Sequence, residues 1–268
     1  MYKWILAILI TLTAVVYQRM TGPTYPVKGH SHLGDIQYTY QLKRSYSNDS
    51  DCPISLKIAD TSVAGILKYR RFKTDDPWIQ KSMDRTGDQI TAFLPHQPAA
   101  GKLQYQVILQ KQDQIAVIPS ADDYIIIRFK NPVPKVVLVP HIFFMFFGML
   151  FSNRAAFECF QKNGSPMKYA WWTFVLLFIG GMLFGPIVQW YAFGDPWTGF
   201  PIGIDLTDNK TLISMFFWIL ALSLGRKNAH RARIFVLIAA IITLVIFSIP
   251  HSLLGSELDF QSRKVVQG

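Results

Sequence analysis

Two histidines, three aspartates and a tryptophan are the residues of this chain whose types and spacing could do chemistry. His141 stands six residues into an apolar run, and His251 directly follows another. Asp195, Trp197, Asp205 and Asp208 lie in the stretch from Trp190 to Trp218, WYAFGDPWTGFPIGIDLTDNKTLISMFFW, which begins as one apolar run ends and closes inside the next. An imidazole can ligate a metal, titrate near neutrality or serve as a hydrogen-bond partner. Placed at the edge of hydrocarbon it is costly unless it finds a partner, which raises the weight of a functional role. The plainer alternative is that each histidine lies at an interface and bonds water, a head group or a carbonyl. Carboxylates at the spacing of Asp205-Leu206-Thr207-Asp208-Asn209 could bind a cation, but ligand count and spacing fall short of a calcium loop, so turns and caps are the expected use.

Other chemistries leave little trace. The sequence has no Gly-rich phosphate loop, serine elbow, C-x-x-C or H-E-x-x-H pattern, and no constellation points to an enzyme. Cys52 and Cys159 fit neither a disulfide framework nor a zinc site. His30 and His32 could share a strand face as a metal-binding pair, although a solvated linker over residues 21–30 is the simpler expectation. No metal site is assigned.

The elements that must position these residues follow from composition. Half of the 268 residues are apolar and only 16% are charged, with positive mean hydropathy, the profile of a membrane protein. A formal charge of +10 would suggest nucleic acid in a soluble chain. Here the cations flank apolar runs, where they set topology and meet anionic lipid, so the bilayer is the expected partner and nucleic acid is not. Residues 1–20 read as an uncleaved signal-anchor helix. Val136–Phe151, interrupted by Pro140 and His141, Tyr169–Tyr191, Thr211–Leu224 and Ile234–Ile249 read as four further transmembrane helices. Trp171, Trp172, Trp190 and Tyr191 bracket the longest run as an aromatic belt. The loops Arg154–Lys168 and Arg226–Arg233 are basic, which places them in the cytoplasm with Lys3. The C-terminus and the residue 190–210 loop then lie outside, in what the charge pattern suggests is a bacterial inner membrane. Asp208 is expected to cap the helix that continues through Phe216.

From Asp35 to Phe129 the period changes to two. Ile36–Leu42, Ile54–Ile58, Gly65–Phe72, Gln89–Leu94, Leu103–Leu109, Ile115–Ile118 and Tyr124–Phe129 read as short strands between Pro, Gly and Asp. The chain thus divides into the anchor at 1–20, an all-β extracytoplasmic sandwich at 21–134, and a four-span bundle at 135–268 with its aromatic, acidic loop at 190–210. The run from Tyr69 to Leu109 resembles immunoglobulin-like or fibronectin type III modules, which implies a sandwich over residues 35–130 and nothing about function.

A second resemblance concerns the loop. Gly194 with Trp197 three residues on, then Asp205 leading into a helix, is similar to the tryptophan-rich W-G-x-x-W-x-W-D motif of haem-handling membrane proteins of cytochrome c assembly. The basic loop GRKNAHRAR, the last span and His251-Ser252 are similar to that family's end. Phe193 and Ile204 replace two of the family's tryptophans, and five extra residues separate Trp197 from Asp205. The resemblance implies a haem b site, the only candidate cofactor, with His141 and His251 as axial ligands and Gly194, Trp197 and Asp205 as the motif.

Two expectations remain. One is a non-enzymatic assembly or scaffold protein, its sandwich binding another membrane or extracytoplasmic protein. The alternative is a haem-binding membrane protein.

Overall fold

A computed structural model describes residues 1–251, 253 and 255–267, so Ser252 of the resemblance lies outside the described residues. The chain forms two compact units: Met1–Pro23 with Val133–Ser256, and Thr24–Pro132 with Glu257–Val266.

The second unit is built from strands. These are β1 (Val27–Leu33), β2 (Ile36–Leu42), β3 (Ser45–Ser47), β4 (Cys52–Lys57), β5 (Ala64–Arg71), β6 (Ile79–Ser82), β7 (Asp84–Thr86), β8 (Gln89–Leu94), β9 (Lys102–Lys111), β10 (Gln114–Ile118) and β11 (Ile125–Lys130), with β12 (Ser256–Asp259) and β13 (Lys264–Gln267) from the C-terminal tail. One sheet runs β3-β11-β9-β5-β6 with β10 also on β9, a second runs β4-β8-β7, and β1-β2 and β12-β13 are hairpins. Alternation explains the burial: Gly65, Leu67 and Tyr69 of β5 and Ile90, Ala92 and Leu94 of β8 point inward, and their neighbours do not. Strand β9 has neighbours on both sides in its sheet, and the run Leu103–Val107 is buried without alternation. Buried side chains of β2, β4, β5, β8, β9 and β11 gather in one core.

Two differences from the sequence reading stand out. The stretch read as a linker over 21–30 enters β1 at Val27, because the hairpin turn that Gly34 permits at φ +59° pairs Val27–Leu33 with Ile36–Leu42. His30 and His32 are therefore alternate residues of a strand. The tail, assigned above to the bundle, folds with the β unit instead. Glu257, 7% exposed, accepts from Lys102 and pairs with Lys73 at 2.9 Å, and Leu258 N–H donates to Ala100 O.

Burial alone would raise the Glu257 carboxyl; the hydrogen bonds from Lys102 and Lys73 outweigh it and hold the group below its ordinary value. For Lys102, burial is the larger effect and lowers it. Glu257 is the better guide to the cluster, since two ammonium groups converge on its one carboxylate. A depressed carboxyl stabilises the fold above the unfolded value of roughly 4.3, and that contribution is lost as pH falls through the lower folded value. Glu257→Gln should cost about 1–3 kcal/mol locally. Amide exchange of the peptide containing Leu258 should accelerate by about tenfold or more. Unchanged exchange would show that the carboxylate does not hold the tail.

The first unit contains α1 (Tyr2–Thr21), α2 (Lys135–Cys159), α3 (Pro166–Leu177), a π-helical stretch at Phe178–Phe184, α4 (Gly185–Phe193), α5 (Leu206–Gly225) and α6 (Ala229–Ser248). From α3 to α4 the helix is continuous over Pro166–Phe193. Among the described residues four helices are long and apolar enough to cross a membrane: α1, α2, Pro166–Phe193 and α6. The expected fifth, α5, is 20 residues long but is not among them, and it carries buried Asp208 and Lys210 in its first turns.

Helix α2 departs furthest from expectation. Pro140 does not interrupt it, and it runs on through Ser152–Cys159, the start of what the sequence presents as a polar loop. Those polar residues are helical because they are partnered inside the unit. Arg154 pairs with Glu158 at 2.6 Å, one turn away, and lies against the rings of Trp4 and Tyr169. Glu158 Oε2 accepts Ser165 N–H, and Asn153 donates to Thr11. Likewise α6 starts within the basic loop, at Ala229, capped by the Asn228 side chain. Glycines allow close packing in the middle: a Cβ on Gly180 would stand 2.9 Å from Phe144 and 3.0 Å from the Met145 backbone. Cys52 and Cys159 are both buried free thiols, one in each unit.

Candidate functional site

The candidate site lies where α4 runs through residues 194–205 into α5, and its local structure follows from a few side chains. Gly194 ends α4 at φ +92°, its N–H donating to Trp190 O at 2.8 Å, a left-handed cap that favours glycine. The N-cap of α5 is Asp205, not Asp208 as the sequence suggested. Its Oδ1 accepts Thr207 N–H at 2.8 Å, and Oδ2 accepts the N–H and hydroxyl of Ser256, both at 3.2 Å. Asp208, one turn on and 6% exposed, reaches back into the loop. Its Oδ2 accepts Thr198 N–H at 2.6 Å, Gly199 N–H at 3.0 Å, and Gln189 Nε2 at 3.2 Å.

The rest of the loop is tied down in the same way. Asn209 Oδ1 accepts Phe200 N–H at 2.8 Å, Trp197 Nε1 donates to Phe200 O at 3.0 Å, and Asp205 N–H donates to Thr198 O at 3.1 Å. Residues 198–205 therefore close as a compact loop whose ends meet. Asp195 stays exposed.

His141, half-buried on α2, sits against the π-helical stretch, its Nδ1 2.8 Å from Gly180 O. A carbonyl can only accept, so Nδ1 carries the proton and Nε2 keeps its lone pair. Nε2 has no hydrogen-bond partner among the described residues. His251 occupies the turn after α6, exposed at its edge and within electrostatic reach of Lys210, His141 and Asp205. The fold thus brings His141, His251 and Asp205 to one end of the unit, with Gly194 and Trp197 in the loop there. Trp197 uses its indole N–H within its own loop. Among the described residues there is no group of three or more His, Cys, Asp or Glu that could hold a metal ion.

Sequence reasoning missed Lys210. Only 2% exposed, it donates to Ile249 O at 2.8 Å and Pro250 O at 3.0 Å, carbonyls freed at the end of α6. A lone lysine in the first turns of an apolar helix was the available signal. Gln189, Thr198 and Asn209 gave none, because their roles depend on how the loop folds back. No family model, curated protein or solved structure matches this chain.

Proposed function

We propose that the chain is an integral membrane assembly or scaffold protein, a helical bundle that anchors an extracytoplasmic β sandwich able to bind another protein. The observation that carries this is the use of two of the loop's three carboxylates. Asp205 and Asp208 take their hydrogen bonds from their own fold, so the loop works as a rigid cap. Their chemistry is spent on architecture.

Parity supports the topology. Residues 24–132 and 257–266 fold as one unit and so lie on one side of any membrane, which requires an even number of crossings between them. Helix α2, Pro166–Phe193 and α6 supply three. Helix α5, 20 residues or about 30 Å long and joined to α6 by three residues, supplies the fourth. Positive-inside bias then puts the β unit and tail outside the cytoplasm.

Helix α1 behaves as a member of the bundle and not as a removable leader. Polar contacts tie it along its length: Lys3 near Glu158 at 3.9 Å, Thr11 to Asn153 at 2.9 Å, and Gln18 donating to Phe247 O at 2.7 Å. Intact mass of the purified chain should therefore retain residues 1–20, and a mass lacking them would remove the anchor from the scheme. The partner-binding role is tested by photo-crosslinking from exposed β-unit positions such as Ile115 in native membranes. A discrete protein adduct is expected; none from any β-unit position would overturn the role.

The Nδ1–H bond of His141 favours a second reading, haem binding. Ligating histidines usually donate their other nitrogen to a carbonyl or carboxylate in this way. His141 and His251 are imidazoles at one end of the bundle, so the donor set fits a haem iron, and His141 and His251 would hold it. Bound there, haem would supply electron-transfer or haem-delivery chemistry. Protein purified in detergent would show a Soret band that His141→Ala abolishes, whereas the scaffold expects no band.

A further inference from the structure

We infer that the loop at residues 198–205 is a re-entrant apolar wedge that sits in the lipid interface, a reading that rests on the membrane assignment above. Three observations converge on it. The first is exposure without collapse: Phe200 is 67% exposed and Ile202 77%, although both belong to a loop held by hydrogen bonds at almost every turn. Ile202 N–H and Gly203 N–H both donate to Gly199 O, so the tip cannot fold its side chains away without breaking that network. From Pro196 to Ile204 the chain carries no charge.

The second observation is depth. Gln189 Nε2 donates to Thr198 Oγ1 at 2.7 Å, and Gln189 lies one helical turn, about 6 Å, before the end of α4 at Phe193. The loop therefore leaves α4, turns at Gly194 and descends again. Gly199 packs against the first turn of α5 so closely that a Cβ there would stand 2.6 Å from Asp208 Cβ. The start of the loop, Thr198 and Gly199, thus lies beside the last turn of α4, where Trp190 stands 53% exposed, and the first turn of α5.

The third is the character of that height. Trp190 and Tyr191 are the aromatic belt, and exposed surface at belt level meets the boundary of head groups and acyl chains. Phe and Ile suit that boundary and an aqueous loop tip does not need them. Lipid is thus the occupant that the depth selects, over a protein partner or a second copy.

Nitroxide labels on the full-length chain in phosphatidylcholine–phosphatidylglycerol vesicles test this. Ile202→Cys and Phe200→Cys are labelled separately, with Val245→Cys on exposed α6 as the lipid control and Asp122→Cys in the β unit as the water control. Unsubstituted protein sets the background from buried Cys52 and Cys159. The ratio of oxygen to nickel-chelate collision rates at 200 and 202 should match residue 245 and exceed residue 122 by about fivefold or more. Aqueous ratios at both loop sites, with residue 245 in lipid, would overturn the wedge alone. Exclusion of both reagents would mean that protein covers the tip and would also overturn it. An aqueous ratio at residue 245 would sink the membrane assignment itself.

Discussion

Asp208→Ala is expected to destabilise the helical unit by about 1–4 kcal/mol, because the substitution strands one buried backbone donor, Gly199 N–H, at about 1–3 kcal/mol and one part-buried donor, Thr198 N–H, at less. Thr198 N–H and Gly199 N–H have Asp208 Oδ2 as their acceptor, and Gln189 loses one of its two partners as well. Gly199 is buried, so water does not readily replace the lost oxygen. Asp208→Asn keeps a carbonyl oxygen where Oδ2 stands and loses only the charge assistance, so it should cost about 1–2 kcal/mol. Unfolding of the full chain in mixed detergent micelles, titrated with SDS, gives both values. An alanine variant within 1 kcal/mol of the parent would mean that this carboxylate does not hold the loop. The loop's wedge geometry should fail with it, as increased proteolysis near Trp197.

Why the loop could not be read in detail from the sequence is plain at this residue. A carboxylate before an apolar run is the signature of an N-cap, and the stretch offers two of them three residues apart. Choosing Asp208 over Asp205 required knowing which backbone was already in the helix. Asp205 adopts φ −52°, ψ 124°, and Asp208 lies a full turn inside. Periodicity does not resolve a difference of three residues at a helix end. The descent of the loop to Gln189 depends on a long-range fold-back that leaves no periodic trace.

The β unit was far more legible, since seven short apolar runs stand between turn residues, several of them alternating, and each pairs near the expected bounds. Short edge strands were not: β6 is exposed at all four residues, so it has no apolar signal to detect. The tail hairpin was missed for a different reason. Its attachment rests on one carboxylate meeting two lysines, and on the Leu258 N–H bond to Ala100 O, all at distant positions in the sequence. In α2, polar letters were taken for loop because the sequence does not show that Arg154, Asn153 and Glu158 have partners.

Glu158→Ala tests that last point and carries the other large effect, about 3–5 kcal/mol. Glu158 is 7% exposed and Arg154 8%, so the pair lies largely out of water. Removing the carboxylate leaves a guanidinium enclosed by Trp4 and Tyr169, at 5.4 and 4.5 Å from their ring centres, with Nε and Nη1 making no hydrogen bond among the described residues. The close Nη1 contact with Glu158 is thus an ion pair and not an aligned hydrogen bond. The substitution also takes away the acceptor for Ser165 N–H and for Gln161 Nε2. Lys3, 3.9 Å away and less deeply buried, adds little. Arg154→Met/Glu158→Leu should recover most of the loss, because a buried pair replaced by apolar side chains of similar size is often neutral, whereas half a pair is not. The same SDS titration measures all three chains. If the alanine variant matches the parent, water reaches Arg154 and the site is a solvated loop after all. If the double variant is as weak as the single one, the loss comes from the Ser165 and Gln161 bonds, and the ion pair contributes little.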